Sequence, residues 1–483
     1  MRNHQAFFTN LLLAITLMPL PAQTLKQRAV YIPYEDAQPI LETLNEILPP
    51  EIKNRSRAEQ VTIWPGWVAR RDAEIRARLS QGDEDSLVNL LLFGTSYTKQ
   101  PRITQQQVTE LERAGKTATA GMPTEASPLS RVLQGRVNDF VSALAAPGSN
   151  ERLLFARRFL VERKSYNLDD PAKRAQIKAA VINALGRMLN EQAGYAKTLE
   201  AARSLGNTSE EFAERSRLYR ARGLSSDTSL LPNFALEEAL KLIQLRGMLS
   251  SGSIRRVAVV GPGLDFADKQ EGHDFYPQQT IQPFAIIDSL LRLRLTQSDA
   301  LQVKTFDLSP RVNDHLARSR QRARRGQSYP VQLPRDPRAG WRPEAVRYWE
   351  RFGDQIGKPV SPIAVPTSAV TLKIRAVSLR PDVVSRVTPF DTNIVLQRLE
   401  LAPAEKFDLI IATNIFVYYD TLDQSLALLN VERMLRPGGM LLTNNALLEL
   451  PFSRVRSVGY STAVYSDRPD DGDHIVWYQR SPE

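Results

Sequence analysis

A glycine-containing segment is the first place in the sequence where residue types and spacing suggest chemistry. It reads VAVVGPGLDF over residues 257–266, so a short apolar run leads directly into Gly261 and Gly263. Glycine has no side chain, which lets the backbone pass close to a ligand. In open parallel sheets, ligands bind outside the carboxyl ends of the strands. The segment therefore predicts a strand followed by a loop that binds a nucleotide-like ligand.

The spacing argues against a nicotinamide or flavin dinucleotide. The dinucleotide motif has a third glycine three residues after the second, and Phe266 occupies that position. The motif also has an acidic residue about 20 positions farther on, at the end of the next strand. Here the next predicted strand ends much later, at Asp307. An oxidoreductase on a similar sheet is therefore disfavoured.

Asp307 is the second candidate for binding. It ends the alternating segment Leu301–Asp307, which predicts a strand. A carboxylate at a strand end can accept hydrogen bonds from the hydroxyls of a ribose. The alternative is an aspartate that starts a turn with Ser309 and Pro310. The order of the elements favours the ribose role.

The rare residue types exclude several kinds of site. Cysteine is absent, which excludes disulfides, thiolate metal sites and cysteine nucleophiles. There are only 4 histidines, so a metal site built from histidine is not expected. The net charge is +10, and its densest basic run, at 318–325, is typical of a solvated helix end or loop. No aromatic residue interleaves with that run, which argues against binding of single-stranded nucleic acid.

The N-terminus has the order of residues typical of a secretory signal. Arg2 and His4 precede the mostly apolar run Ala6–Leu20, and the small residue Ala22 follows. The run is shorter than the roughly 20 residues that span a membrane. Residues 1–22 are therefore predicted to be a signal peptide or an uncleaved anchor, which would place the protein in the periplasm or envelope. Without a working signal the protein would be cytoplasmic. No other segment of the sequence is predicted to span a membrane.

Helical periodicity dominates residues 56–250, which follow a lead-in at 23–55 that is predicted to be irregular. Apolar residues recur at spacings of three and four from Leu129 to Leu144, which places them on one helix face. This region is predicted to be an all-helical domain. Nothing in it resembles a catalytic motif.

After residue 250 the pattern changes to strands alternating with helices, which predicts a parallel sheet with helices on both faces. Predicted strands lie at 257–260, 301–307, 407–414 and 440–443, with helices at 284–295 and 425–435. The alternating segments 458–466 and 475–480 predict a terminal antiparallel hairpin. A stretch rich in proline and arginine, about 310–366, is predicted to be an insertion with one helix at 343–352. The domain as a whole is placed at 251–483.

The segment 407–445 is the most specific. It begins with Phe407-Asp408-Leu409-Ile410-Ile411, and after a predicted helix it continues with LRPGGML at 435–441. This pattern resembles class I S-adenosylmethionine-dependent methyltransferases, in which such a strand and helix precede a PGG turn into the fifth strand. The part NIFVYYD, at 414–420, is similar to the chemotaxis-receptor-type methyltransferases. The resemblance implies an α/β, Rossmann-like, mostly parallel sheet with a terminal hairpin, and S-adenosylmethionine as the cofactor.

The resemblance also implies roles for individual residues. Gly261 and Gly263 would approach the methionine part of the cofactor, Asp307 would bind its ribose, and Asp391 would lie near its adenine. Asn414 and Ile415 would line the methionine and methyl side, and Phe416 with Tyr418 or Tyr419 would wall the acceptor pocket.

Two positions depart from the family pattern. The family usually has an acidic residue two positions before the first glycine, where it holds the ammonium of the cofactor, and this chain has Val259. The third glycine of the family is replaced by Asp265, which could supply the missing charge. Residues 268–279 also lengthen the path from the glycine loop to Asp307.

Methyl transfer from a sulfonium needs alignment and exclusion of water, and a general base only when the acceptor is protonated. No catalytic residue is therefore assigned. The resemblance implies a methyltransferase for a small molecule or a protein. Asn414-Ile-Phe-Val stands where base-methylating enzymes have Asn/Asp-Pro-Pro-Tyr, which argues against nucleic acid. The alternative is a catalytically inactive binding or scaffold protein of the cell envelope, because an exported enzyme would lack its donor.

Overall fold

The computed structural model describes residues 28–104, 106–108, 110, 128–163, 165–167, 170–204, 223–265, 273–444, 446–468 and 471–482. The predicted signal or anchor at 1–22 lies outside the described residues. Within the described ranges, no helix combines the length and the apolar character that crossing a membrane requires. The same ranges contain no group of three acidic or histidine side chains placed to hold a metal ion.

Helices dominate the N-terminal half. The elements are β1 (Ala29–Tyr31), α1 (Tyr34–Thr43), α2 (Arg57–Phe93), α3 (Pro128–Ala145), α4 (Glu151–Arg158), α5 (Pro171–Ser204), β2 (Asp227–Thr228) and α6 (Leu231–Leu245). A π-helical turn, Phe159–Arg163, continues α4. The lead-in was expected to be irregular because of its prolines, but it contains β1 and α1. Pairing of β1 with a strand near residue 398 explains the difference, because such a long-range contact leaves no local pattern.

Strands and helices alternate in the C-terminal half. The elements are β3 (Arg256–Val260), β4 (Leu264–Asp265), α7 (Gln282–Arg292), β5 (Gln302–Asp307), α8 (Pro310–Arg324), β6 (Tyr329–Arg335), α9 (Pro343–Arg351), β7 (Gly357–Val360), β8 (Lys373–Leu379), α10 (Pro381–Val384), β9 (Val387–Asp391), β10 (Gln397–Leu399), β11 (Phe407–Ala412), α11 (Thr421–Met434), β12 (Leu435–Thr443), β13 (Val455–Val464) and β14 (Gly472–Arg480).

The described residues form a seven-stranded sheet in the order β13-β14-β12-β11-β3-β5-β9. Strands β12, β11, β3, β5 and β9 are parallel, whereas β14 is antiparallel to both β12 and β13. Every residue of the central strand β11 is buried, as expected for a parallel strand covered on both faces. The predicted fold class is therefore confirmed: a Rossmann-like, mostly parallel sheet that ends in an antiparallel hairpin.

The proline- and arginine-rich stretch is more ordered than its composition suggests. Its first part is helix α8, which packs on β9. Beyond α8, the described residues form a small antiparallel sheet in the order β6-β8-β7. The predicted helix at 343–352 is observed as α9. Prolines 330, 334 and 359 lie inside these strands, which hid the strands from sequence analysis because proline disfavours central strands.

Helix α2 belongs to two hydrophobic clusters. Its first half contributes Trp64, Trp67, Val68 and Ile75 to the cluster that covers one face of the large sheet. Its last turns, Leu87–Phe93, pack with α3 and α5 in a separate helical cluster. Helix α6 in turn packs in the cluster on the other face of the sheet. The division at residue 250 stays a prediction, because shared packing does not measure whether either part folds alone.

Candidate functional site

A cavity of about 790 Å³ lies at the carboxyl ends of β3, β5 and β11. The strand ends and the loops that follow them form one wall, which includes Val260, Gly261, Gly263, Asp307, Thr392, Asn414, Ile415 and Asn444. The helical half forms the opposite wall, which includes Leu79, Asp85, Asn89, Met188, Glu191 and residues 223–229. The volume falls in the range of pockets that bind small molecules and cofactors. The two walls are called the sheet wall and the helical wall below.

Both glycines of the loop after β3 have left-handed backbone conformations, with φ of 64° at Gly261 and at Gly263. A Cβ atom on Gly261 would lie 2.2 Å from Ile415 Cδ1, and one on Gly263 would lie 2.7 Å from the carbonyl oxygen of Ser226. The positions therefore require glycine for both conformation and space. The prediction that Gly261, Gly263 and Ile415 share one site agrees with their common place in the cavity lining.

Asp307 lies in the sheet wall at the end of β5. Its Oδ1 accepts a hydrogen bond of 2.7 Å from the backbone N–H of Ser309. Burial raises the pKa of Asp307 to about 7, against the opposing effect of the backbone N–H groups of Ser309, Gly263 and Leu308. The turn interpretation and the ligand interpretation are thus compatible, because the carboxylate both orders the turn and borders the cavity.

Asn414 holds the loop that follows β11. Its φ is 58°, a left-handed value that asparagine tolerates better than most residues. The Asn414 N–H donates to Asn444 Oδ1 over 2.9 Å, and Asn444 Nδ2 donates to Asp473 Oδ1 over 3.0 Å. Sequence analysis missed Asn444 and Asp473. Their positions, at the end of one strand and the start of its antiparallel neighbour, were the available signal.

The structure does not bring Asp391 into the cavity lining. The Asp391 side chain is 59% exposed and forms an ion pair of 2.8 Å with Arg76 of α2. The next residue, Thr392, does line the cavity, and its Oγ1 is buried without a hydrogen-bond partner. Thr392 is therefore the better placed of the two for a ligand.

Asp265 also lies outside the cavity lining. Its side chain is buried and accepts a hydrogen bond of 2.7 Å from Gln279 Nε2, and its carbonyl oxygen accepts one from Arg152. These contacts secure the loop between the glycines and α7. Val259 is fully buried within β3, so no charged group stands at that position either.

The aromatic residues after β11 divide into two sets. Tyr418 and Tyr419 line the cavity, whereas Phe416 is buried beneath it. Arg78 of α2 donates to the carbonyl oxygen of Tyr418 over 3.0 Å and lies 5.9 Å from the Tyr419 ring centroid. Burial raises the pKa of Tyr419, so its hydroxyl stays protonated at neutral pH.

The helical wall was not predicted to contribute to the site. Its acidic residues Asp85 and Glu191 both pair with Arg187, at 2.6 and 3.0 Å. Asp227 accepts hydrogen bonds from Ser86 and Asn89 of α2. These residues lie on different helices and a connecting segment, so only tertiary packing brings them together.

No family model matches the chain and no curated protein matches its sequence. Among solved structures, the N-methyltransferase NodS from Bradyrhizobium japonicum WM9 is 14% identical, with 51% of this chain and 98% of that chain covered and a TM-score of 0.25. The CurJ carbon methyltransferase is 12% identical, with 94% and 100% covered and a TM-score of 0.25. The glycopeptide N-methyltransferase MtfA, complexed with sinefungin, is 14% identical, with 53% and 70% covered and a TM-score of 0.21. Such values transfer neither an activity nor a substrate to this chain.

Proposed function

We propose that this protein is an S-adenosylmethionine-dependent methyltransferase whose cofactor binds in the cavity between the sheet wall and the helical wall. The observation that carries the proposal is the convergence of Gly261, Gly263, Asp307, Asn414 and Ile415 on one cavity at the ends of β3, β5 and β11. These residues come from three separate parts of the sequence, namely the loop after β3, the last residue of β5 and the loop after β11.

The residues present fit this cofactor. Glycine is required at 261 by φ and by the close approach of Ile415, and residue 261 borders the cavity, where the methionine part would bind. Asp307 offers carboxylate oxygens to the ribose hydroxyls. Thr392 offers a buried hydroxyl with no protein partner, which we assign to the adenine end in place of Asp391.

When bound, the cofactor supplies an electrophilic methyl group, and the chain supplies alignment and exclusion of water. Asn414 and Ile415 would border the methyl side of the site, with Tyr418 and Tyr419 beside them. The helical wall closes the other side, and the acceptor would bind between it and the sheet wall. The similarity of 414–420 to chemotaxis-receptor-type enzymes concerns the sheet wall beside the methyl group, and the acceptor would be a small molecule or a protein.

Calorimetric titration with S-adenosylmethionine and S-adenosylhomocysteine tests the proposal. We expect one binding site for each ligand and no binding of NAD or FAD, because the glycine spacing does not suit a dinucleotide. Binding of a dinucleotide, or of none of these ligands, would contradict it. Binding of both sulfur ligands without transfer to any tested acceptor would favour the inactive binding protein instead.

Export remains a separate proposal, based on the residue order at 1–22. A reporter that is active only after export, fused to residues 1–30, tests it. An active reporter would place the protein where no donor supply is known and would favour the scaffold function. A silent reporter would favour a cytoplasmic enzyme.

A further inference from the structure

We infer that the methyl acceptor is a small cationic amine and that Asp473 binds its nitrogen. The inference rests on the proposed function and adds the chemical class of the acceptor. The charge of the cavity differs from the charge of the chain.

The chain is basic, with 63 lysine and arginine residues and a net charge of +10. The cavity is acidic. Its described lining contains five carboxylates and no lysine or arginine: Asp85, Glu191, Asp227, Asp307 and Asp473. A cavity with one sign of charge attracts ligands of the opposite sign, which favours a cation over a neutral or acidic acceptor.

Most of these carboxylates already have a function or a partner. Asp85 and Glu191 share Arg187, and Asp307 is assigned to the cofactor. Asp473 has no cationic partner among the described residues. Its two oxygens accept hydrogen bonds from neutral donors, Tyr465 Oη and Asn444 Nδ2. Each carboxylate oxygen can accept a further bond, so Asp473 can still bind an ammonium group.

The position of Asp473 also suits an acceptor. Asn444 joins it to the backbone of Asn414, through hydrogen bonds of 2.9 and 3.0 Å. The Asn444 amide is thereby fixed, with its oxygen toward Asn414 and its nitrogen toward Asp473. This network places the carboxylate on the β11 and β12 side of the cavity, where Asn414 and Ile415 would border the methyl group.

The chemistry needs a group that binds an ammonium and then takes its proton. A protonated amine would pair with the Asp473 carboxylate and transfer one proton to it. The freed nitrogen lone pair would then form the N–C bond to the methyl carbon as the C–S bond breaks, and the electron pair of that bond would stay on sulfur. The products are the methylated ammonium ion and S-adenosylhomocysteine. Burial raises the pKa of Asp473, which makes its carboxylate a better proton acceptor.

A ligand series of equal length tests the inference. The full chain, saturated with S-adenosylhomocysteine, is titrated with 1,4-diaminobutane, 1,4-butanediol and succinate. We expect the diamine to bind at least tenfold more tightly than the diol and the dicarboxylate, because a charge-assisted hydrogen bond is lost with each of the latter. Equal or tighter binding of the diol or the dicarboxylate would overturn the inference.

The Asp473→Asn variant tests the residue. We expect its affinity for the diamine to fall at least tenfold, while its affinity for S-adenosylhomocysteine stays within about twofold of the wild type. Asp471→Asn is the matched control, since it removes the same charge two residues away and outside the cavity lining, and should leave both affinities unchanged. An unchanged diamine affinity in Asp473→Asn would remove Asp473 from the site.

If the protein is not an S-adenosylmethionine-dependent methyltransferase, the titrations should give a different result. In that case wild-type protein would not bind S-adenosylhomocysteine at all. Preferential binding of the diamine without that ligand, and its loss in Asp473→Asn, would then support a cation site on a protein that is not a methyltransferase.

Discussion

The sheet wall and the helical wall of the cavity are built in different ways. The sheet wall is shaped by the backbone: left-handed residues 261, 263 and 414 turn the chain directly after strands β3 and β11. The helical wall is shaped by side chains on separate helices, which ion pairs such as Arg187–Asp85 hold in place. A wall built from backbone suits the cofactor, which is the same for every acceptor. A wall built from side chains suits one particular acceptor.

Each wall nevertheless depends on a glycine that lies too close to another part of the chain to carry a side chain. Gly261 faces the flexible end of Ile415. Gly82 of α2 faces backbone, since a Cβ atom there would lie 1.9 Å from the carbonyl oxygen of Leu224. Substitution of the two glycines should therefore separate the functions of the two walls.

The largest effect is expected from Gly261→Val. Left-handed strain and overpacking together cost about 2–6 kcal/mol, so the affinity for S-adenosylhomocysteine in calorimetry should fall at least about 25-fold. In Gly261→Ala, the additional change Ile415→Ala should restore only part of the affinity, because it relieves the contact and not the strain. Full recovery in that double variant would show that φ at 261 is unimportant.

The next effect is expected from Asp307→Ala. The ribose would lose charge-assisted hydrogen bonds worth about 1.5–3 kcal/mol, and calorimetry should show cofactor affinity weakened by a factor of roughly 10–150. Asp391→Ala is the matched control, because Asp391 pairs with Arg76 outside the cavity lining. It should leave affinity unchanged and cost only about 0–1 kcal/mol of stability. The reverse order of effects would assign the ribose to Asp391.

Gly82→Ala should affect the helical wall instead. The new methyl group must displace residues 223–229, at a cost of about 1–3 kcal/mol in the free energy of unfolding, measured by denaturant titration. Acceptor binding should fall, whereas cofactor affinity should change little. Gly186→Ala on α5, where a Cβ would meet nothing within 4 Å, is the control and should change neither. A loss of cofactor affinity in Gly82→Ala would mean that the two walls are not separable.

The smallest effect concerns pH. Ribose hydroxyls bind the ionised form of Asp307, whose pKa is raised to about 7. Cofactor affinity should therefore increase as pH rises to about 7 and level off above it, with up to about a tenfold change per pH unit below. Asp307→Asn should remove this dependence.

The same pKa predicts a cost in stability. A carboxyl group with a raised pKa in the folded state stabilises the fold when protonated and loses that contribution as pH rises from the unfolded value of 3.8 through about 7. Asp307→Asn should thus raise the melting temperature of the ligand-free protein above pH 7. A lower melting temperature in that range would contradict the burial of an ionised Asp307.

Much of the sheet wall could be predicted from the sequence, because each element has a local signal. Apolar runs mark β3 and β11, and the residues after them carry the turns. The helical wall had no such signal, since Asp85, Glu191 and Asp227 look like ordinary solvated charged residues. Only packing of α2, α5 and the segment 223–229 brings them to the cavity.

The errors have similar causes. Asp391 follows a strand as predicted, but Arg76, more than 300 residues away in the sequence, binds its carboxylate outside the cavity lining. Asp265 follows the glycines but contacts Gln279 and Arg152 instead of the cavity. In each case tertiary contacts hold the residue away from the cavity, and a single sequence contains no local trace of those contacts.

Helix α2 also fixes the directions in which two pairs of its side chains point relative to each other. It runs unbroken over 37 residues, with Trp64 and Trp67 fixed on the sheet and Asp85 and Asn89 facing the cavity. An α-helix turns about 100° per residue. One residue inserted between these pairs would therefore rotate Asp85 and Asn89 to another face of the helix, although the helical hydrogen bonds would stay intact. The helix therefore fixes both the distance and the angle between the two pairs. The acidity of the helical wall depends on the number of residues between them as much as on the identity of those residues.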